Sequence, residues 1–192
     1  MSNFTMLIAA VLITFLSSCQ DTTSYRSYSM SDTVDRTEVA DAGQLADTVK
    51  ILPVTSTVET KDVEPDDLIH YAKTLLGTTY KYGSIDPKQG FDCSGFITHV
   101  FNHFDISVPR SSVDFTNVGE QIPVNESKPG DLILFTGTDS TIRVVGHMGI
   151  VVENTDSTRF IHSTSGKQYG VTITPLNAYY QGRFFKVIRV FK

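Results

Sequence analysis

Several things are scarce in this chain, and each shortage excludes a class of protein. Its 192 residues hold two cysteines, Cys19 and Cys93, so a scaffold stapled by several disulfides is excluded. There is no basic excess: 16 Lys and Arg face 21 Asp and Glu, for a net charge of −5 and a pI of about 5.4. A chain of that balance lacks the electrostatic footprint of a nucleic-acid binder. The apolar run at residues 6–16 (MLIAAVLITFL) is 11 residues long, well short of the roughly 20 that cross a bilayer as a helix. There is no CxxC, no HExxH and no internal repeat. What is present is apolar bulk: 40% hydrophobic residues, 12 of them Phe. That is enough for a sizeable core, which excludes disorder along the whole length.

The short apolar run has the length of a signal-peptide hydrophobic region. Small residues follow it, in the order Leu16-Ser17-Ser18-Cys19. The segment resembles a bacterial lipobox, which implies lipidation of Cys19 on sulfur and removal of residues 1–18. One feature departs from that pattern: residues 1–5 carry no Lys or Arg. The competing reading is a buried apolar helix that ends at an incidental cysteine. Residues 20–62 hold 13 Ser and Thr, no Phe, eight acidic and four basic residues. Such a composition buries too little apolar surface to offset chain entropy. Residues 19–62 are therefore expected to be a flexible tether, with a small helix over 38–50 as the alternative. The acidity of the chain sits mostly there, since residues 63–192 carry 13 acidic and 12 basic residues.

Residues 63–192 read as one domain. Pro65 suits the first turn of a helix over 64–76, Asp66 and Asp67 suit its positive end, and Gly77 stops it. A Tyr- and Gly-rich loop follows over 77–90. A second helix is expected over 93–104, with Phe96, Ile97, Val100, Phe101 and Phe104 on one face at 100° per residue. Cys93 falls on that face, in the first turn. After Pro123 the period changes to strands, at 131–136, 147–153, 159–163, 171–174 and 183–191. Helices first and strands afterwards indicate an α+β domain with an antiparallel sheet.

Cys93 lies in FDCSGF at the start of the second helix. A thiol there feels the positive end of the helix dipole, which favours thiolate and lowers its pKa. A thiolate nucleophile also needs a proton carrier, usually His. His147 begins a strand in GHMGIVVE, where Gly146 and Gly149 leave room beside it. His162 lies in the next strand candidate, RFIHSTSG. Neighbouring strands can set the two imidazoles side by side, with His147 as base and His162 orienting it through the other ring nitrogen. Two blander readings compete: Cys93 as a small buried hydrophobe, and Cys93, His147 and His162 as a zinc site. His70, His99 and His103 read as ordinary helix residues.

Six blocks taken together carry a resemblance: GTTYKYGS (77–84), FDCSGF (91–96), VPRSS (108–112), KPGDLILF (128–135), VGHMGIVV (145–152) and FIHSTSG (160–166). In that order they resemble the NlpC-type family, papain-like cysteine endopeptidases of bacterial peptidoglycan, over residues 66–192. The resemblance implies a papain-like α+β fold whose nucleophile helix packs on an antiparallel sheet. It implies Cys93 as nucleophile, His147 as base and His162 as polar third member. It implies that Tyr80 shapes the site beside the thiol, and that Asp92 and Ser94 meet the free amine of an N-terminal L-Ala. Arg110 and Ser111 would line the cleft. Two positions depart from the family pattern: Gly83-Ser84 stands for a Gly-Gly pair, and Phe115 for a frequent Gln.

The implied activity is hydrolysis of an amide in peptidoglycan stem peptides, at the D-γ-glutamyl–diamino acid bond, with no cofactor and no metal. Two alternatives stay open: a non-catalytic envelope protein that binds wall peptides, and an amidase or acyltransferase on the same thiol. The expected partners are peptidoglycan peptides and, through lipid on Cys19, a membrane; no nucleic acid is expected. The expected location is the bacterial cell envelope, in the outer membrane facing the periplasm. Two or more acyl chains on Cys19 anchor a protein stably. Cys19→Ala is therefore expected to move the protein from the detergent-rich to the aqueous phase in Triton X-114 partitioning, and an unchanged partition would count against lipidation.

Overall fold

The computed structural model describes residues 56–192, so the signal peptide and lipidated Cys19 expected at 1–19, and the tether as far as residue 55, lie outside the described residues. Ser56 pairs with the domain: its N–H donates to the Asn117 carbonyl at 2.9 Å, and Gly119 N–H donates to the Ser56 carbonyl at 3.0 Å. Helix α1 is Pro65–Thr74, with Pro65 in its first turn, Asp66 and Asp67 at its positive end and Lys73 at its negative end. Helix α2 is Cys93–Asn102. Six strands follow, β1 Glu120–Ile122, β2 Leu132–Thr136, β3 Val145–Asn154, β4 Thr158–Thr164, β5 Gly170–Pro175 and β6 Phe184–Arg189, with a short helix α3 at Ala178–Arg183. They form one antiparallel sheet in the order β1-β6-β2-β3-β4-β5.

The period of two along β2 sorts its side chains into two cores. Leu132 and Leu134 face the larger one, with Phe96, Ile97, Val100 and Phe101 of α2 and Leu68 and Ile69 of α1. Ile133 and Phe135 face a smaller one with Phe160 and Tyr180. Both faces of β2 are therefore covered, which is why its sequence, LILFT, is apolar without alternation. Where the two helices meet, Tyr71 donates to or accepts from His99 Nε2 at 3.0 Å and stacks on His103, so that histidine pair serves helix packing.

Three elements differ from the sequence expectation. β1 precedes Pro123 and is only Glu-Gln-Ile, too short and polar to show a period. Arg183 ends α3 and does not open the last strand. Phe104 lies just beyond α2, partly buried against the larger core.

Gly149 on β3 sits against β4 with no space for a side chain. A Cβ there would lie 2.8 Å from the Ile161 carbonyl oxygen, 2.8 Å from the Phe160 ring and 3.1 Å from His162 Cβ. Gly182 in α3 has nothing within 4 Å of the same position. Gly149→Ala is expected to lower stability by about 1–3 kcal/mol through overpacking. Gly182→Ala is expected to raise it by about 0.5–1 kcal/mol through helix propensity. Urea midpoints of the two variants check the pair.

Candidate active site

Helix α2 starts on a buried carboxylate. Asp92 caps α2, accepting from Gly95 N–H at 2.6 Å. It also accepts from Gly83 N–H at 2.8 Å in the preceding loop. Arg110 donates to both oxygens, at 3.0 and 2.6 Å. Ser94 Oγ donates to Asp92 at 3.3 Å and accepts from Arg110 at 2.9 Å. These donors fill the roughly four lone-pair positions of one carboxylate. A substrate amine would reach Asp92 only by displacing one of them. Gly95 lets the loop lie against the helix, since a Cβ there would collide with the Ser84 carbonyl.

Cys93 is the first residue of α2 and is half-buried. Its thiol donates to the Gly146 carbonyl at 3.9 Å, one residue before His147. Backbone N–H groups of Ser94, Cys93 and Met148 favour the thiolate. Burial, and then the Asp92 carboxylate, outweigh them and push the thiol up. The sequence expectation of a depressed thiol is thus corrected. The helix start is present, but the helix is capped by a buried negative charge, and the sulfur is largely withdrawn from water.

His147 Nε2 and His162 Nδ1 lie 2.9 Å apart between β3 and β4, with the rings nearly perpendicular. His162 Nε2 meets Thr174 Oγ1 on β5 at 3.0 Å. Nδ1 is then the nitrogen left on His147 for a thiol. A base at Nδ1 requires Nε2–H to donate to His162 Nδ1, and His162 Nε2–H to donate to Thr174 Oγ1. Because the two histidines bond to each other, their nitrogens do not converge on a common metal position. Among the described residues no group of three or more His, Cys, Asp and Glu could hold a metal ion.

Cys93, His147, Thr174 and Tyr80 line one cleft of about 770 Å³, with His162 fully buried behind it. Tyr80 is half-buried, and its phenol is pushed up by burial and then by Cys93 and Asp92. Arg110 and Ser94 gather at Asp92 beside the thiol, but neither these three nor Ser111, exposed at the cap of a 3-10 turn, belong to the cleft lining.

Sequence reasoning missed the α3 wall of the cleft. Tyr180 packs edge-on against His162, centroids 5.4 Å apart, and stacks on His147 at 6.1 Å. Arg183 is 8% exposed and also lines the cleft. The available signal was Asn177, whose side chain accepts from Tyr180 N–H as a helix cap. Six residues behind it are too few to show a helical period.

A thiol at a helix start, set against an imidazole pair on an antiparallel sheet, defines the papain-like class. Comparison with known proteins narrows it. The NlpC/P60 family model matches residues 77–189, and the chain belongs to that family. The Escherichia coli protein named probable endopeptidase NlpC is 36% identical over 117 residues, covering 59% of this chain and 70% of its own. The γ-DL-glutamyl hydrolase of Bacillus subtilis is 34% identical over 129 residues, 67% of this chain; the chain spans only 30% of that longer protein. The crystal structure of a Bacillus cereus NlpC/P60 family protein matches with a TM-score of 0.60 at 30% identity, over 68% of this chain and 41% of its own.

Burial, and then the Arg183 charge, hold His162 down to about 3. Burial, then His162 and Arg183, hold His147 well below 6.5. Unfolded histidines take up protons below about 6.5, so between that pH and about 3 the unfolded chain binds more protons than the folded one. Stability is full above about pH 6.5 and falls as pH drops, by at most about 1.4 kcal/mol per pH unit for each histidine. His162→Gln is expected to flatten the fall of the urea midpoint between pH 7 and 5, whatever its effect on absolute stability.

Proposed function

We propose that the domain is a cysteine endopeptidase of peptidoglycan stem peptides that hydrolyses the D-γ-glutamyl–diamino acid amide, as an envelope protein held through lipid on Cys19 in the outer membrane and facing the periplasm. The observation that carries the reading is the His147–His162 hydrogen bond, which leaves His147 Nδ1 for the thiol in the cleft that Cys93 lines. The relative named γ-DL-glutamyl hydrolase supports a γ-glutamyl bond, and the one named probable endopeptidase supports peptide hydrolysis. Because the resting thiol is pushed up, its proton leaves as the bond forms. Cys93 Sγ attacks the carbonyl carbon while His147 Nδ1 takes the S–H proton. The imidazolium so formed is held by the lone pair of His162 Nδ1. Backbone N–H of Cys93, freed from the sulfur as it turns to carbon, is placed to receive the oxyanion. Collapse breaks the C–N bond, and the His147 proton goes to the leaving amine. Water then attacks the thioester, giving one proton to His147 and hydroxyl to the acyl carbon, and the thiol is restored. Tyr80, which lines the cleft, and the Ser94–Arg110–Asp92 network next to Cys93 would meet the acyl side of the substrate in this reading.

Mass spectrometry of muropeptides digested by the wild type and by Cys93→Ala tests this. Wild type is expected to split the stem between D-Glu and the diamino acid, and the variant to leave it whole. Cleavage by Cys93→Ala, release of the entire stem from sugar, or binding without any cleavage would each overturn the reading.

A further inference from the structure

Among the described residues Arg183 is a buried charge without a counter-charge. Its Nε–H donates to the Gly137 carbonyl at 2.8 Å, Nη2 to the Thr136 carbonyl at 2.9 Å and Nη1 to the Tyr179 hydroxyl at 2.6 Å. These are neutral acceptors. Among the described residues the arginines that form ion pairs are Arg110, Arg159 and Arg189, with Asp92, Glu153 and Asp131. A guanidinium has five N–H groups, and the three bonds above leave one on each terminal nitrogen. Leaving a buried cation without an anion is costly, and Arg183 stands at the wall of a cleft. Lys167, exposed on the β4–β5 connection, lines the same cleft, whose lining contains no Asp or Glu. The acidic group by the thiol, Asp92, is already bound by Arg110. The cleft is thus unbalanced by two positive charges.

We propose that Arg183 and Lys167 form a carboxylate subsite, which takes a free carboxylate of the substrate next to the scissile bond. The inference rests on the endopeptidase reading for the identity of the substrate. Two carboxylates in a stem peptide fit that chemistry. D-Glu joined through its γ-carbon keeps its α-carboxylate, and a diamino dicarboxylic acid at the third position carries a side-chain carboxylate that lysine lacks. Either one supplies the missing anion and accepts the two spare N–H groups. An amide in its place offers one acceptor oxygen and no charge. Loss of a charge-assisted hydrogen bond of this kind is worth about 1.5–3 kcal/mol, or roughly 10- to 150-fold in rate or affinity.

The test uses the full-length protein and three tripeptides: L-Ala–γ-D-Glu–diaminopimelate, the same with the D-Glu α-carboxylate amidated, and the same with the diaminopimelate side-chain carboxylate amidated. A fall in kcat/KM of about tenfold or more is expected for one of the two amides, and that one names the carboxylate bound. In Lys167→Gln and Arg183→Gln the acid-to-amide ratio is expected to shrink towards one. Lys167→Gln keeps the test readable where Arg183→Gln fails to fold. Ratios within twofold for both amides in the wild type, or an undiminished ratio in Lys167→Gln and in any folded Arg183→Gln, would overturn the subsite. If the wild type cleaves none of the peptides, the endopeptidase reading fails by itself. Calorimetric binding of the same three peptides to Cys93→Ala then decides the subsite, supported by tighter binding of the acid and overturned by equal binding or none.

Discussion

The carboxylate of Asp92 gathers the start of α2, the loop at Gly83 and the Arg110 segment onto one buried point. Helix termini leave their first N–H groups without intrahelical partners, and Asp92 takes Gly95 N–H while its two oxygens hold the chain on either side. Cys93 is the next residue, so its Sγ is placed by the cap. The same charge also acts on the sulfur, because a carboxylate one residue away opposes a thiolate. One interaction therefore positions the thiol and adds to the burial that keeps it protonated at rest, which in turn makes His147 a necessary proton acceptor in the proposed chemistry.

The second constraint is the close approach of β3 and β4. Gly149 removes the side chain that would separate them, and His162 moves within hydrogen-bond distance of His147. Tyr180 and Phe160 then close over the pair and withdraw it from water. Arg183 adds a positive field from the same side. Burial and charge act in the same direction, so the pair rests neutral, and one ring nitrogen of His147 remains for work at the cleft. The cost of placing an unpaired guanidinium there is structural evidence about what enters the cleft from outside.

Much of this was legible in the residue order. The helix over 64–76 and the helix beginning at Cys93 follow from apolar spacing, and the five expected strands differ from β2, β3, β4, β5 and β6 only at their ends. Cys93, His147 and His162 stood out because residue type, small neighbours and element position agreed. The failures share one physical cause. β1 has three residues, mostly polar, and owes its existence to pairing with β6 rather than to a pattern of its own. α3 has six residues and is held by the Asn177 cap and by packing of Tyr180. Elements this short carry too little period to be read.

Residue order by itself determined which side chains were capable of the chemistry and which elements would carry them, because helical and strand periods and caps are set by residues a few positions apart. Tertiary structure decided how those side chains behave. The thiol is raised, the histidines are held neutral, Asp92 is occupied internally and Arg183 is left without an anion among the described residues. These depend on groups 15 to 47 residues apart, Asp92 with Arg110, His147 with His162, and Arg183 with Thr136 and Gly137. Burial and electrostatic fields are sums over neighbours in space, and those neighbours exist only once the sheet and its two cores have formed.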